Sequence, residues 1–524
     1  MLRRRREPDP LPWGSLDFPT AGARFEAGLV ELRGWALFEG APVARVEAWL
    51  GGRALGRARL GLPRPDVAAI HAGPDAAVCG FELRAGVEIP EEDAEVELRV
   101  VATSVDGEQR ELGSVPVVLA ARAEPAPRPA RVPPFTRGGD RSGGGSGRRV
   151  LAFSNVLTLG GAALHLYDLL GEMRRQGLVD PTVVTAIDGP LRQDLEAQGV
   201  PVHLLGPLPL DDLDAYLDRV EEIAAWAALG EFDLVLVNTA TALTLPGADV
   251  GRLLGLPVVW TIHESFPPPL LWEGVGPGLR EHAEARLAEA DCAVFEAEAT
   301  RRLYPSVLDR SVTVPYGLDL TPIEAVRQGF DRDRTRAELG IPTDADLVIC
   351  VGTVEPRKAQ VQLARAFDLV AARHPKAQLA FIGADAGPTS TALAGRIASS
   401  PHQDRMRLVP HTPEVQRWIG ASDLLVCASD VESLPKSVLE AMAWEKPVLA
   451  TAVFGLPETI DHNTNGWLCA PGDVSALAAA LDLAFDSDTA TRRRLGAAAR
   501  ELVRSRHDLG TYAKRIGHLF DSLP

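Results

Sequence analysis

Two clusters of charged residues have the types and spacing to do chemistry. The first is Glu432-Ser433-Leu434-Pro435-Lys436-Ser437-Val438-Leu439-Glu440. Pro435 suits the first turn of a helix, which leaves the N–H groups of Lys436, Ser437 and Val438 as unpaired donors aimed at an incoming phosphate. Glu432 lies in the loop before that helix and Glu440 about a turn and a half beyond Pro435, so the carboxylates are too far apart for one catalytic dyad. They are placed to accept hydrogen bonds from hydroxyls at opposite ends of an extended ligand. The second cluster is Gly352-Thr353-Val354-Glu355-Pro356-Arg357-Lys358, directly after an apolar strand. Its guanidinium and ammonium could neutralise a diphosphate and the charge that develops as it is cleaved. Each cluster also has a plain reading, because helices carry glutamates throughout and charged loop residues are commonly just solvated.

A third element is the turn Ser154 to Ala162, where Gly160 and Gly161 lie between a strand and a helix. Glycines there let backbone N–H groups approach an anion at a helix N-terminus, or merely close the turn. No G-x-G-x-x-G and no G-K-[ST] is present, which excludes the nicotinamide fingerprint and the P-loop. His263 closes the strand Val258 to Ile262 and is a candidate catalytic group at a sheet's carboxyl edge. His165, on a helix, reads as structural. Of the D-x-D triplets, Asp212/Asp214 reads as a helix start, and Asp331/Asp333 and Asp344/Asp346 as loops, so no metal site is expected.

The elements that must position these groups alternate short apolar runs with amphipathic stretches from residue 148 onward. Val150 to Ser154, Phe232 to Val237 and Pro257 to Ile262 read as buried parallel strands. The pattern restarts at Asp346 to Val351, then a helix from about Val361 to Arg373, and Gln378 to Gly383. Two doubly wound halves leave a cleft at the carboxyl ends of their strands. Before residue 120 the rhythm is period two, as in Val30-Glu31-Leu32-Arg33, with a Gly51-Gly52 hairpin turn, which predicts a small β-sandwich. Trp35, Trp49 and Arg64 to Val67 read as packing residues or as a sugar-stacking face. The expected division is a disordered tail 1–19, a β-sandwich 20–120, a Pro/Gly-rich linker 121–147, two α/β domains at 148–320 and 321–500, and a C-terminal helix 501–524.

Composition bounds the function. Lys and Arg total 54 against 71 Asp and Glu, a net charge of −17, which disfavours nucleic acid as a partner. The five cysteines, Cys79, Cys292, Cys350, Cys427 and Cys469, form no C-x-x-C pair and read as buried apolar residues in a reducing compartment. No apolar run is long enough to span a membrane, and Arg3 to Arg6 read as a solvated tail able to touch anionic lipid.

Taken together, Gly160-Gly161-Ala162, Thr261-Ile262-His263, Thr313 to Asp319, Glu355-Pro356-Arg357-Lys358, Glu432 with Glu440, and Asn465 to Asp473 resemble glycosyltransferase family 4, retaining enzymes of the GT-B fold. The resemblance covers about residues 148–500. It implies an acceptor-side domain 148–320, a donor domain 321–500, and a final helix crossing back onto the first half. It implies that Glu432 holds donor-sugar hydroxyls and Glu440 the ribose. Lys358 and Arg357 would bind the diphosphate with backbone N–H groups of Gly161 and of the helix after Pro435, and His263 would sit beside donor sugar or acceptor. Thr353 departs from the pattern, standing where many members carry arginine, and Glu264-Ser265 is less usual. The expected activity is metal-independent retaining transfer from a nucleoside-diphosphate sugar to a glycan or lipid-linked glycan, by a cytoplasmic protein acting in solution or at the inner membrane face. A non-catalytic glycan-binding scaffold, a nucleotide-sugar epimerase and a glycan phosphorylase stay open as alternatives. Nucleobase, sugar, acceptor and linkage depend on pocket shape, which residue type does not fix.

Overall fold

The computed structural model describes residues 13–25, 28–121, 147–272 and 274–523. All but the end residues of the expected linker at 121–147, and most of the expected tail, lie outside the described residues. The first nine strands are β1 (Gly14–Phe18), β2 (Ala23–Phe25), β3 (Leu29–Ala36), β4 (Val43–Leu50), β5 (Arg53–Arg57), β6 (Arg59–Leu62), β7 (Gly80–Gly86), β8 (Ala94–Ser104) and β9 (Gln109–Leu119). They form two sheets, in the orders β1-β3-β7-β6 and β2-β9-β8-β4-β5. Val30, Leu32, Val46, Leu98, Val100 and Val117 point into one shared core and are fully buried. Alternation thus does what it predicted, and Gly51 and Gly52, at φ 54° and 77°, make the β4–β5 hairpin turn. The expected tail is corrected at 14–18, where β1 pairs antiparallel with β3. Gly34 permits this close approach, since a Cβ there would lie 2.2 Å from the Ser15 carbonyl oxygen. Trp35 is 5% exposed and packs against His71, a core role.

Next come β10 (Arg148–Val156), β11 (Val179–Ile187), β12 (Val202–Leu204), β13 (Leu234–Asn238), β14 (Val258–Ile262), β15 (Cys292–Phe295) and β16 (Ser311–Thr313). The last six strands are β17 (Asp346–Val351), β18 (Ala377–Ala384), β19 (Met406–Pro410), β20 (Leu424–Cys427), β21 (Val448–Thr451) and β22 (Trp467–Cys469). The sheet orders are β12-β11-β10-β13-β14-β15-β16 and β19-β18-β17-β20-β21-β22, and all pairs are parallel. In each sheet the direction of winding reverses once, between β10 and β13 and between β17 and β20. Ligands of such sheets bind at that reversal. Each sheet is packed on both faces by helices, and its central strands are buried accordingly. The architecture is the expected GT-B pair of Rossmann-like halves behind two N-terminal sheets.

The chain crosses between the halves twice, and the crossings are tied together. Leu318 N–H donates to the His507 carbonyl at 2.7 Å, and His507 Nδ1 to the Tyr316 carbonyl at 2.7 Å. The helix Thr489–Arg506 still belongs to the second half, because Ala499 and Val503 fill that half's core. The crossing helix therefore begins at Leu509 and not at 501. Its Tyr512, Ile516 and Phe520 pack with Leu166, Leu169 and Leu170 of the helix Gly161–Arg175 in the first half. Among the described residues no helix is long and apolar enough to cross a membrane. Phe520→Ala leaves a cavity under this strap and should cost about 3–5 kcal/mol. Calorimetric unfolding should show the loss in the transition that melts the first half; an unshifted transition would contradict the strap's role.

Candidate active site

The switch point of the second half gathers the cationic loop and Glu432. β17 runs into Gly352, whose φ of +142° turns the chain back so that a Cβ would meet Lys358 Cδ at 3.2 Å. Pro356–Lys358 form a single 3-10 turn, and Ala359, in the left-handed region at φ 54°, redirects the chain into the helix Gln360–Ala371. β20, the neighbouring strand, ends at Cys427 and carries Ser429, Asp430 and Glu432 from the adjacent edge. Lys358 Nζ donates to Glu432 Oε2 at 2.8 Å and Arg357 Nη1 to the same oxygen at 3.1 Å. Burial pushes the Glu432 carboxyl up, but the Lys358 and Arg357 charges outweigh it and hold the group below its ordinary range. Arg357 also reaches Glu355 at 2.7 Å. Two cations on one buried carboxylate oxygen leave the second carboxylate oxygen for a ligand.

Beyond Glu432, Pro435 is the cap of the helix Lys436–Ala443, not its first turn. This changes the donor set expected from sequence: Val438 N–H is spent on the Pro435 carbonyl at 3.0 Å, so the open N–H groups are those of Lys436 and Ser437. The Lys436 side chain crosses to the first half, where Asp168 Oδ2 accepts from its Nζ at 2.7 Å and from Tyr316 OH at 3.0 Å. Glu440 sits apart from Glu432. Burial lifts its carboxyl to about 7, with Lys436 opposing and Asp168 assisting.

On the facing half, Gly160 caps the helix Gly161–Arg175 in extended conformation. A Cβ on Gly161 would meet nothing within 4 Å, so this helix N-terminus opens onto free space. β13 and β14 then deliver Asn238 and His263 to the same edge. His263 Nδ1 donates to Glu296 Oε1 at 2.6 Å and Nε2 to Asn238 Oδ1 at 3.0 Å. Asn238 is oriented by its Nδ2, which donates to the Ala162 carbonyl at 3.0 Å. Burial pushes the His263 imidazole down, yet Glu296 more than offsets it and the group titrates above its ordinary range. His165, read as structural, is buried with its ring 4.5 Å from that of His263. Burial and the His263 charge hold it neutral, with Tyr512 OH donating to its Nε2 at 2.7 Å.

His165, His263 and Glu296 offer atoms within 4.8 Å of one another that could ligate a cation. In the structure both nitrogens of each imidazole are engaged in hydrogen bonds. Asp212 caps a helix as expected. Asp331, expected in a loop, also caps one, accepting from Arg334 N at 3.0 Å. Asp346 opens β17 at the end away from the cleft and pairs with Arg492 at 2.8 Å. Thr353 is exposed, and its carbonyl accepts from Gln360 Nε2 at 3.0 Å. Of the cysteines, four are buried and Cys469 is half-buried; none is bonded to another.

Sequence reading missed Asn238, Glu296, Asp168, Tyr316 and Asp430. Asn238 and Glu296 carry a usable signal, since each is the polar residue ending an apolar strand. Asp168 carries none, because it meets Lys436 only through the docking of the halves; Tyr316, within the Thr313 to Asp319 run, was given no role of its own and donates to Asp168.

Comparison with known proteins identifies this architecture. Residues 159–334 match the model for glycosyltransferase family 4 and residues 331–502 that for glycosyl transferases group 1. The D-inositol 3-phosphate glycosyltransferase of Arthrobacter sp. strain FB24 is 30% identical over 323 residues, spanning 57% of this chain and 75% of the relative. The enzyme of the same description from Xylanimonas cellulosilytica is 29% identical over 401 residues, 71% and 90% of the two chains. Among solved structures, Anabaena HepE in complex with UDP and glucose superposes with a TM-score of 0.63 at 21% identity, over 72% of this chain and 100% of HepE. Sucrose-phosphate synthase of Thermosynechococcus elongatus follows with 0.58 at 22% identity, over 71% and 98%. The chain belongs to glycosyltransferase family 4, with the GT-B fold and glycosyltransferase activity that membership carries.

Because Glu296 is the main influence lifting the His263 imidazole against burial, with Glu264 adding to it, Glu296→Gln should lower the His263 pKa. NMR titration of histidine-labelled protein reads this directly, and an unmoved His263 resonance would refute the assignment.

Proposed function

We propose that the protein transfers a sugar from a nucleoside-diphosphate sugar to a hydroxyl acceptor with retention at the anomeric carbon and without a metal ion. The observation that carries this reading is the convergence of Lys358 and Arg357 on Glu432 at the switch point. A diphosphate entering there meets two fixed cations, and the free N–H groups of Lys436, Ser437 and Gly161 complete its cradle. Glu432, kept ionised by those cations, accepts hydroxyls of the donor sugar. Glu440 accepts the ribose hydroxyls. His263 and Asn238 face the sugar from the other half.

The chemical step follows from this inventory. Of the two cleft glutamates neither is read as a nucleophile, since Glu432 is bound by the cations and Glu440 lies along the helix. The anomeric carbon–oxygen bond to phosphate breaks with its electron pair going to the diphosphate. The acceptor oxygen forms its bond on the same face and passes its proton to the departing phosphate oxygen. Catalysis rests on positioning and on stabilising the charge of the leaving group, and docking of the halves excludes water. The fixed cations supply the neutralisation that a metal would otherwise give.

UDP-sugars are the first donors to assay, given the nucleotide and sugar bound to HepE. For the acceptor we infer a glycan or lipid-linked glycan hydroxyl, reached in the cytoplasm or at the inner membrane face, in polysaccharide or glycoconjugate synthesis. Inositol 3-phosphate, named in the relatives, is the competing acceptor to test beside it.

Lys358→Ala and Glu432→Ala should each lower product formation by about 100-fold or more while remaining folded. NMR of the product should show the donor's anomeric configuration. Wild-type rates in both folded variants, or an inverted product, would refute the reading. Glu440 adds a pH dependence. Above about 7 its carboxylate is ionised and accepts both ribose hydroxyls; below, it is protonated and accepts them weakly. Affinity for a nucleotide sugar, whose diphosphate does not titrate here, should therefore fall as pH drops through neutrality. Glu440→Gln should flatten that dependence; an unchanged profile in the variant would assign it elsewhere.

A further inference from the structure

Two seams join the parts of this chain, and they are built differently. The first docks the N-terminal domain on the second half. There Arg365, 1% exposed, donates to Asp75 Oδ1 at 2.8 Å and to the Val78 carbonyl at 3.0 Å, and Val78 sits in that half's hydrophobic core. β6 runs against the Pro356–Lys358 turn, and Gly61 permits it, since a Cβ there would lie 2.9 Å from Val361 Cβ. Buried ion pairs cost heavily when one partner is withdrawn, so this seam is a fixed one.

The second seam joins the two halves beside the cleft, where the chain leaves β15 and β21. After β15 come Glu296, the partner of His263, then Ala297 and the short helix Glu298–Arg301. After β21 come Gly455 and the helix Leu456–Thr459. Glu458 of that helix reaches across: its Oε2 accepts from the Glu298 N–H at 2.9 Å and its Oε1 from the Ala299 N–H at 2.8 Å. First-turn donors have no partner within their own helix, and a carboxylate is the group that suits them. Behind this cap the backbones close in, since a Cβ on Gly455 would lie 2.7 Å from Ala297 Cβ. Deeper still is a row of buried hydroxyls, with Thr300 Oγ1 2.8 Å from Ser265 Oγ and 3.3 Å from Ser433 Oγ. Ser265 lies two residues beyond His263, and Ser433 is next to Glu432. Hydroxyls and an exposed carboxylate exchange their bonds for water when parted, so this seam opens at far lower cost than the first.

We propose that Glu458 is a positioning residue that latches the halves closed, setting Glu296 and His263 of one half against Glu432 of the other. The proposal rests on the reading of this cleft as the donor site. Glu458 acts through the Glu298 and Ala299 backbone, two and three residues beyond Glu296, and not through contact with a substrate.

Hydrogen exchange on the unliganded full chain reads the latch without any substrate. The Leu164 and Val438 amides, on opposite sides of the cleft, donate to the Gly160 and Pro435 carbonyls, and neither bonds to Glu458. In Glu458→Ala both should exchange at least about threefold faster. Exchange that is unchanged, or faster only at Glu298 and Ala299, would mean no more than a lost local cap and would overturn the proposal. Calorimetry on the full chain then reads positioning, with UDP and whichever of UDP-glucose and UDP-N-acetylglucosamine binds more tightly as probes. UDP is read as held by the second half except at Gly161, whereas the sugar is met by both halves. Glu458→Ala should therefore weaken the UDP-sugar at least about fivefold and UDP about twofold or less. Glu458→Gln, which keeps the length and one acceptor oxygen, should fall between alanine and wild type. Equal effects on the two ligands, no effect on either, or a glutamine variant no better than alanine would contradict it. Lys358→Ala separates the two readings. If it weakens both ligands while Glu458→Ala weakens neither, positioning alone falls; if it too binds both normally, or the wild type binds neither, the donor site falls and the exchange result decides the latch.

Discussion

One buried carboxylate between two cations organises this protein. Glu432, Lys358 and Arg357 would each cost several kcal/mol to bury alone, so they can leave solvent only by finding one another. The second sheet arranges that meeting by ending β17 and β20, the two strands at its winding reversal, with the cations on one and the carboxylate on the other. Gly352 and Ala359 exist in left-handed or glycine-favoured conformations because the turn between them must fold Lys358 back over its own strand end. Arg357 is shared with Glu355, so the turn is close to balanced in charge, and it presents fixed donors, the Lys358 ammonium and the Arg357 guanidinium, in a cleft of an otherwise acidic protein. Those fixed donors are what an anionic ligand would find.

The facing half is built on a different plan, a hydrogen-bonded network around one amide. It holds a His263–Glu296 pair and neutral donors and acceptors locked in a network, with Asn238 as the shared centre of His263, His165 and the first turn of the glycine-capped helix. Such a fully hydrogen-bonded cluster is rigid, and rigidity at the strand ends fixes where a sugar could lie. The two plans meet at Asp168 and Lys436, the ion pair that spans the cleft. The paired crossings at Leu318 and His507 and the strap of the final helix keep the halves in register while leaving the cleft edge open. The N-terminal sheets add a third support, since they press on the outer side of the same cationic turn.

How much of this was legible in the sequence follows a physical line. Period-two alternation at Val30 to Arg33 and the apolar runs of the parallel strands are signals set by local burial, and they gave the layers and most strand positions. Glu432, Lys358 and Arg357 were legible because each follows directly from a strand or a helix start. What escaped depends on contacts between distant segments. β1 was hidden because a short polar strand gains its identity only from β3, and the last helix was placed early because Val503 reveals its allegiance only through packing. Val438 was misassigned by a single residue, since Pro435 serves as cap and shifts which N–H groups are open. The docking of the N-terminal domain on the second half, through Arg365 and Asp75, left no trace in composition or spacing.

The central claim is that Lys358, Arg357 and the open helix N-termini form one diphosphate site. A crystal structure of the full chain with a nucleoside diphosphate tests it most directly. The account predicts phosphate oxygens within hydrogen-bond distance of Lys358 Nζ and of the Gly161 backbone, with the ribose on Glu440. A nucleotide bound outside the cleft, or one held in the cleft with Lys358 still paired only to Glu432, would contradict it.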